Sequence, residues 1–456
     1  MSVDTVSLTG WGRTAPTTAV RFRPRTYEEA ATVVRGRGPR GAIARGLGRA
    51  PGDAAQNAGG SVLDMTGLAR IGAVDPVAGT VRCEAGVRLD RLLRVLLPLG
   101  WFPPVLPETG RVTVGGAFGS DVHGRNHREA GSFARHVSAL ELLTADGEVR
   151  TVLPGTALFD ATAGGLGLTG VILSATLRLR RVASSLMSVS TERADDLDDL
   201  LARFTAGGDR LPYASAWVDL LARGRATGRG IITRGEHAPQ HVRPAHDRRI
   251  LRAPRTGTAG GRGLPAAAGL LSLPDGPLGR ASAALYNEVR YRSAPRARTG
   301  EPRPVPAFFH ALDALPGVNR LHARGGLVRY RFVVGYGQEE TLHRVVRRIA
   351  AHRAPALRAV LQRFGPADPG LLSFPAPGWT LALDLPAALP SLARLLDGLD
   401  EEVAAAGGRV CLAADSRVRP ETAAAMYPRL AEFRELREAL DPTGAFRSDL
   451  SRRLGL

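Results

Sequence analysis

Residues 164–170 read GGLGLTG and run straight into VILSATLRL, and this junction constrains the fold more than any other stretch. The heptapeptide contains a formal G-x-G-x-x-G, whose dinucleotide-binding use requires a helix after the glycines. Here Val171, Leu173, Ala175, Leu177 and Leu179 alternate at strand period instead. A Rossmann site is therefore excluded. Two more glycine-rich stretches precede this one: IARGLGRAPGD at 43–53 and LPETGRVTVGGAFGSDVHGRNHREAGSF at 106–133. In the first, successive backbone N–H groups can form an anion-binding nest, and Pro51 argues against continuation into a helix interior. In the second, Gly115 and Gly116 let backbone approach something flat or anionic, because no Cβ stands in the way. His123 and His127 follow at once. Alone, this stretch would read as a glycine-rich loop with solvated histidines; three such segments, each tied to strands, change the balance.

The elements can be read in order. Thr26-x-x-Glu29 is a capping box that starts a helix near Tyr27. Strands are predicted at 41–44, 61–65, 80–84, 136–143 and 149–152, with an Asp146-Gly147 hairpin turn before the last. Leu89, Leu92, Leu93, Leu96 and Leu97 make one face of a helix ended by Pro98 and Gly100, and core packing accounts for that stripe. Beyond residue 190 the texture changes. A helix starts within 194–201, and strands are predicted at 213–220 and 327–334. Residues 221–304 are rich in Arg, Gly and Pro with weak periodicity, which reads as long loops. Helices follow at 340–352, 392–406 and 421–440, the last stopped by Pro442.

At 456 residues the chain can hold two domains with real cores. The net charge of +18 invites a nucleic-acid reading, but every Lys+Arg residue is arginine. That pattern matches codon bias in a GC-rich genome, and the arginines form no basic arm with interleaved aromatics. A nucleic-acid partner is not expected. A basic surface instead favours anionic substrates, with peripheral contact to an anionic membrane face left open. The absence of a basic start with an apolar run, and of any apolar stretch of about 18 residues, leads to the expectation of a cytoplasmic protein. Cys83 and Cys411 are too few for a disulfide framework or a zinc site, so no metal is expected.

The three glycine segments resemble the flavin domain of the vanillyl-alcohol-oxidase (PCMH-type) superfamily. The resemblance sharpens to the FAD-dependent decaprenylphosphoryl-ribose 2-oxidases, the oxidising half of a 2-epimerase, through GWGRTAP (10–16), IARGLGR (43–49), VTVGGAF…DVHGRNH (112–127), AGSF (130–133), ELLTADGEVR (141–150) and GGLGLTG. LLSFPAPGW (371–379), DSR (415–417), AMYPR (425–429) and the tail 441–454 continue it in order. The fold it implies is α+β: an FAD-binding domain at 1–190, completed by 412–456, and a sheet-plus-helices substrate domain at 191–411 with mobile loops within 221–304. Arg45, Gly46, Leu47, Gly48, Arg49 and Gly52 would hold the pyrophosphate. Thr109, Thr113, Gly115, Gly116 and Ser120 would flank the cofactor, with Cys411 near the flavin and Gly165, Gly167 and Val171 towards the adenosine. Arg49, Ala50 and Pro51 stand where covalent relatives often place a histidine, so FAD is expected to be noncovalent.

Flavin oxidation of a secondary alcohol needs the carbinol C–H to face flavin N5, a base for the hydroxyl proton, and groups that stabilise the reduced ring. His123 is the candidate for the hydroxyl, against a structural histidine bridging loop backbone. Tyr330 matches a tyrosine beside the family pocket, although a strand tyrosine can simply be packed. Asp384 and Asp415 could orient a partner or pair with arginine. Several pocket positions depart from the family: Ala414 and Gln362 stand for lysines, Cys411 and Pro51 for tyrosines, Ala382 for a cysteine and Arg331 for a glutamine. Arg331 could replace a lost ammonium, with a planar, bulkier fork. The expected function is oxidation of a sugar-type secondary hydroxyl, such as C2 of a polyprenylphosphoryl ribose, to a ketone. A separate NAD(P)H-dependent reductase would complete an epimerisation. Oxidation of a nucleoside or small glycoside, or a flavin-binding protein without turnover, are the alternatives.

Overall fold

The computed structural model describes residues 1–206, 211–239, 279–310, 313, 319, 325–356 and 358–456. Among the described residues, three sheets of four or more strands carry the fold. The first holds strands in the order Ser2–Leu8, Thr17–Arg23, Ser61–Asp64, Ala42–Arg45. Its last three strands are parallel, and the helix Tyr27–Arg35 crosses between them. Thr26 Oγ1 caps that helix by accepting from the Glu29 N–H, but the Glu29 carboxylate returns to the Arg25 N–H at 2.7 Å, one residue before the cap.

The second sheet is antiparallel, in the order Ile71–Asp75, Thr80–Glu84, Val171–Arg178, Val137–Leu143, Val149–Val152. The strand after the third glycine segment is thus central, and its first five residues are all buried. A helix at that position would have left one edge of each of its two neighbours without hydrogen-bond partners. The glycine segment therefore ends in a sheet.

The third sheet has eight antiparallel strands, in the order Ala297–Pro304, Leu186–Ala194, Gly230–His237, Tyr213–Val218, Ala359–Phe364, Gly378–Pro386, Leu327–Val334, Arg409–Val410. Helices Glu339–Ala351 and Leu392–Ala405 cover one face, packing Leu342, Val346, Leu396 and Leu399 into one core with Phe332 and Leu381. Gly378–Pro386 is buried along nearly its whole length because helices cover one side and the glycine-loop region faces the other.

Two expectations need correction. Residues 221–304 are not loops throughout. They contain the strands Gly230–His237 and Ala297–Pro304 and the helix Arg280–Ser293, while 240–278 lies outside the described residues. Periodicity failed there because charge is buried: Arg234 sits mid-strand and pairs with Glu192. The helix, in turn, buries mostly small and polar groups, among them Ser282, Ala283 and Asn287. The helical tail predicted at 421–440 is two helices, Pro420–Met426 and Leu430–Leu440. Pro428 forces Tyr427 out of helical geometry, to φ −119° and ψ 90°.

The C-terminal segment returns to the first sheet. Phe446 bridges Ala42 in parallel, the Ala42 N–H donates to the Ala445 carbonyl at 2.8 Å, and Arg453 grips both oxygens of Asp53 at 3.0 Å.

Candidate active site

A cavity of about 1640 Å³ of atom-free space, including its mouth, lies between the three glycine segments and the open face of the eight-stranded sheet. Backbone builds one wall. Gly46 passes so close to Thr113 that a Cβ there would sit 2.3 Å from Thr113 Oγ1. Gly48 has φ +62° in the same loop, and Arg45, Gly46, Leu47, Gly48 and Arg49 all line the cavity. Thr113 caps the short helix Val114–Gly119 by accepting from the Gly116 N–H. Gly115 packs on Ala85, where a Cβ would come to 2.9 Å. Thr109, Thr113, Gly115, Gly116, Ser120 and Gly167 reach the cavity.

Gly52, Gly165 and Val171 do not. A Cβ on Gly52 would meet the Asp415 carbonyl at 1.7 Å, so this glycine docks the first loop on the DSR segment. Gly165 presses on the Ala161 carbonyl, and Val171 is buried in the core beneath. Leu166, Gly170 and Ile172 line the cavity instead.

Side chains build the opposite wall. Along Leu327–Val334 the pleat sends Arg329 and Arg331 to the cavity and Tyr330 and Phe332 to the helix-covered face. Tyr330 is therefore misplaced as a catalytic residue. It packs 5.6 Å from the Phe332 ring, beneath the Arg417 guanidinium, and burial together with Asp400 pushes its phenol well up. Asp384 does not line the cavity either. It holds Arg329 bidentately, at 2.6 and 2.8 Å. Asp415 caps the Arg417 and Val418 N–H groups and pairs with Arg453. Gln362 and Cys411 do line the cavity, and burial raises the Cys411 thiol, so it stays protonated.

His123 lies where the two walls meet. Arg331 Nη1 donates to His123 Nε2 at 3.0 Å, leaving the imidazole proton on Nδ1, which is buried with no hydrogen-bond partner among the described residues. Burial first, then Arg331 and His127, drives its pKa well below the usual imidazole value. His123 is thus neutral, and its Nε2 lone pair is held by a guanidinium. His127 is structural: it pairs with Asp368 at 2.9 Å and accepts from the Gly365 N–H.

Sequence reasoning missed Arg329, Phe309, Phe374 and Asp121 as lining residues. Arg329 was recoverable, since it shares the face of Arg331 two residues on. Asp121 has φ +39° and accepts from Ser132, Ser373 and the Ala134 N–H. Burial, with Asp368 nearby, raises its carboxyl to about 6. Its place in the site carries no signature in the sequence.

The donor set fits a flavin dinucleotide: close backbone approach at Gly46 and Gly116 for a flat or anionic group, and Arg45 and Arg49 beside the first loop. A family model described as an FAD binding domain matches residues 18–153. The decaprenylphosphoryl-beta-D-ribose oxidase of Mycolicibacterium smegmatis is 39% identical over 466 residues, covering 99% of this chain and 98% of that protein. The chain belongs to the PCMH-type FAD-dependent alcohol oxidoreductases. An alditol oxidase of a Streptomyces species is 27% identical over 463 residues, covering 98% of this oxidoreductase and 99% of its own length. A protein of the mprA 5′ region in Streptomyces coelicolor is 55% identical over 370 residues, 81% of this chain and all of that protein. The oxidoreductase uses FAD and oxidises a sugar-like alcohol. Among the described residues no helix is long and apolar enough to cross a membrane.

Proposed function

We propose that this oxidoreductase converts a secondary hydroxyl of a phosphoribosyl-type substrate, at a position like C2, to a ketone, and that a separate NAD(P)H-dependent reductase completes an epimerisation. The observation that carries this reading is the His123–Arg331 pair beside the glycine wall. Bound FAD supplies the two-electron acceptor for carbinol oxidation. The chain's own residues then have three tasks. The glycine loops hold the cofactor through backbone, with no covalent link from the first loop. A substrate hydroxyl that displaces Arg331 from His123 Nε2 meets the lone pair of a neutral imidazole, which can take or orient its proton. The released guanidinium supplies the positive charge that no lysine provides near Ala414 and Cys411.

The changed pocket groups, Arg331 and Ala414 among them, favour one second reading: the same oxidation on a nucleoside or small glycoside. Anaerobic bleaching of the flavin against phosphoribosyl lipids, nucleosides and alditols decides between the two. Bleaching by the phosphoribosyl lipids alone is expected; bleaching only by nucleosides or alditols overturns the first reading. Acid precipitation should release all yellow colour into the supernatant, and colour kept in the pellet would refute noncovalent binding.

A further inference from the structure

Among the described residues five arginines line the cavity, and four of them are engaged. Arg45 donates to the Ala55 and Thr9 carbonyls at 2.8 and 2.6 Å. Arg49 reaches Thr109 Oγ1 at 3.2 Å, Arg329 is clamped by Asp384, and Arg331 holds His123. Arg125 has no acceptor for its guanidinium among the described residues. Its Nε is shut away from solvent with no hydrogen-bond partner, and its Cζ lies 4.7 Å over the Phe308 ring.

The loop that presents it is fastened on both sides. The Ala214 N–H donates to the Arg125 carbonyl at 3.0 Å, and Asn126 Nδ2 donates to the Pro104 carbonyl at 2.9 Å. Gly124 has no room for a Cβ, which would meet Asn126 Oδ1 at 2.6 Å. Arg125 therefore cannot swing away with its backbone. Burial, and then Arg303, lower its pKa to about 10, so it remains a cation at neutral pH and lacks a counter-charge. Arg125 is half-buried with its Nε closed off from solvent, and a partly desolvated cation without a counter-charge is costly unless something in the working protein pairs it. Its fork geometry matches a phosphate or carboxylate rather than a neutral hydroxyl.

We infer that Arg125 is the anion-binding residue of the substrate cavity, pairing with the phosphate ester of the substrate while His123, two residues earlier, faces the hydroxyl. This rests on the oxidation proposed above. It assigns substrate selection to a residue distinct from the His123–Arg331 pair.

The test uses the FAD-loaded protein and calorimetric titration with three probes: methyl β-riboside, ribosyl 1-phosphate and a dodecyl ribosyl phosphodiester. In the wild type, at least one phosphate ester should bind about 10- to 100-fold more tightly than the neutral riboside, the range of a charge-assisted hydrogen-bonded pair. Preference for the diester would identify a lipid phosphate, and preference for the monoester a soluble sugar phosphate. Arg125→Gln should erase that advantage with neutral-probe affinity within twofold, and Arg125→Lys should restore part of it, both with full flavin content. Phosphate and neutral probes binding alike in the wild type, or phosphate affinity unchanged in Arg125→Gln, would overturn the assignment. So would flavin loss from both variants, which would give the guanidinium to the cofactor or the fold. Anaerobic bleaching in the same samples separates the two proposals. Arg125-dependent binding without bleaching sinks the oxidation reading alone, and bleaching with Arg125-independent binding sinks this one alone.

Discussion

The two walls of the cavity are built by opposite means. The cofactor wall is backbone held in place by missing side chains: Gly46 against Thr113, Gly115 against Ala85 and Gly52 against the Asp415 carbonyl. The sheet wall is side chains on a regular strand, with Arg329 and Arg331 on one face and Tyr330 on the other. A backbone wall tolerates almost no substitution, since any added atom moves the main chain. A strand wall can exchange its outward residues without disturbing the ladder beneath. The contrast explains how glycine motifs typical of a family can stand beside an altered strand residue such as Arg331.

The largest expected effect is where the two walls meet. His123→Ala should slow the reductive half-reaction per bound FAD by about 10²–10⁴-fold, the usual cost of losing a general base, with the flavin spectrum nearly native. Arg331→Met should cost about 10²–10³-fold, and the double variant little more than the worse single, because the two groups act as a pair. Stopped-flow bleaching per mole of flavin measures all three, and an unchanged rate in His123→Ala would end its catalytic assignment.

Gly46→Ala tests the other wall. Its Cβ would fall 2.3 Å from Thr113 Oγ1, so flavin content per chain should drop severalfold while the residual holoprotein turns over near the wild-type rate. A variant with full flavin but slow turnover would show that the walls do not divide the work in this way.

A smaller effect concerns Asp121, which joins the walls through Ser373. Its carboxyl is raised to about 6 in the fold, above the unfolded value of about 3.9. The stabilisation from its protonated form is complete below pH 4 and is lost as pH rises through 6. Asp121→Asn should therefore narrow the difference in Tm between pH 5 and pH 8 by roughly 1–3 °C, read by scanning fluorimetry of the holoprotein. A difference that stays the same would mean the carboxyl titrates normally.

The smallest effect belongs to Tyr330→Phe, which should leave turnover per flavin within about twofold, since the phenol faces the helices. A tenfold loss would put that ring on the cavity side and break the face assignment of the strand.

These positions also show what a reader of the sequence can and cannot see. The glycine loops are legible because close backbone approach forbids a Cβ, and that prohibition is written in residue type. The strand at 327–334 is legible from its alternation, yet the family resemblance put Tyr330 beside the pocket, whereas the pleat turns it to the helix-covered face. Asp384 could orient a partner or pair with arginine, and its position opposite Arg329 settles on the cross-strand ion pair. Asp121, Gly52 and the strand Gly230–His237 were obscure for a different reason. Their roles depend on partners far along the chain, Ser373, Asp415 and Glu192, whose approach no local pattern announces.

The tie between Arg453 and Asp53 joins residues 400 positions apart, and the edge at Ala42 is completed by Phe446. At a synthesis rate of about 5–20 residues per second, the first cofactor loop waits roughly 20–80 seconds for the segment that braces it. The newborn loop is therefore unclosed while most of the polypeptide is being made. Bracing of that loop becomes a late event in synthesis, one that waits for the segment carrying Arg453.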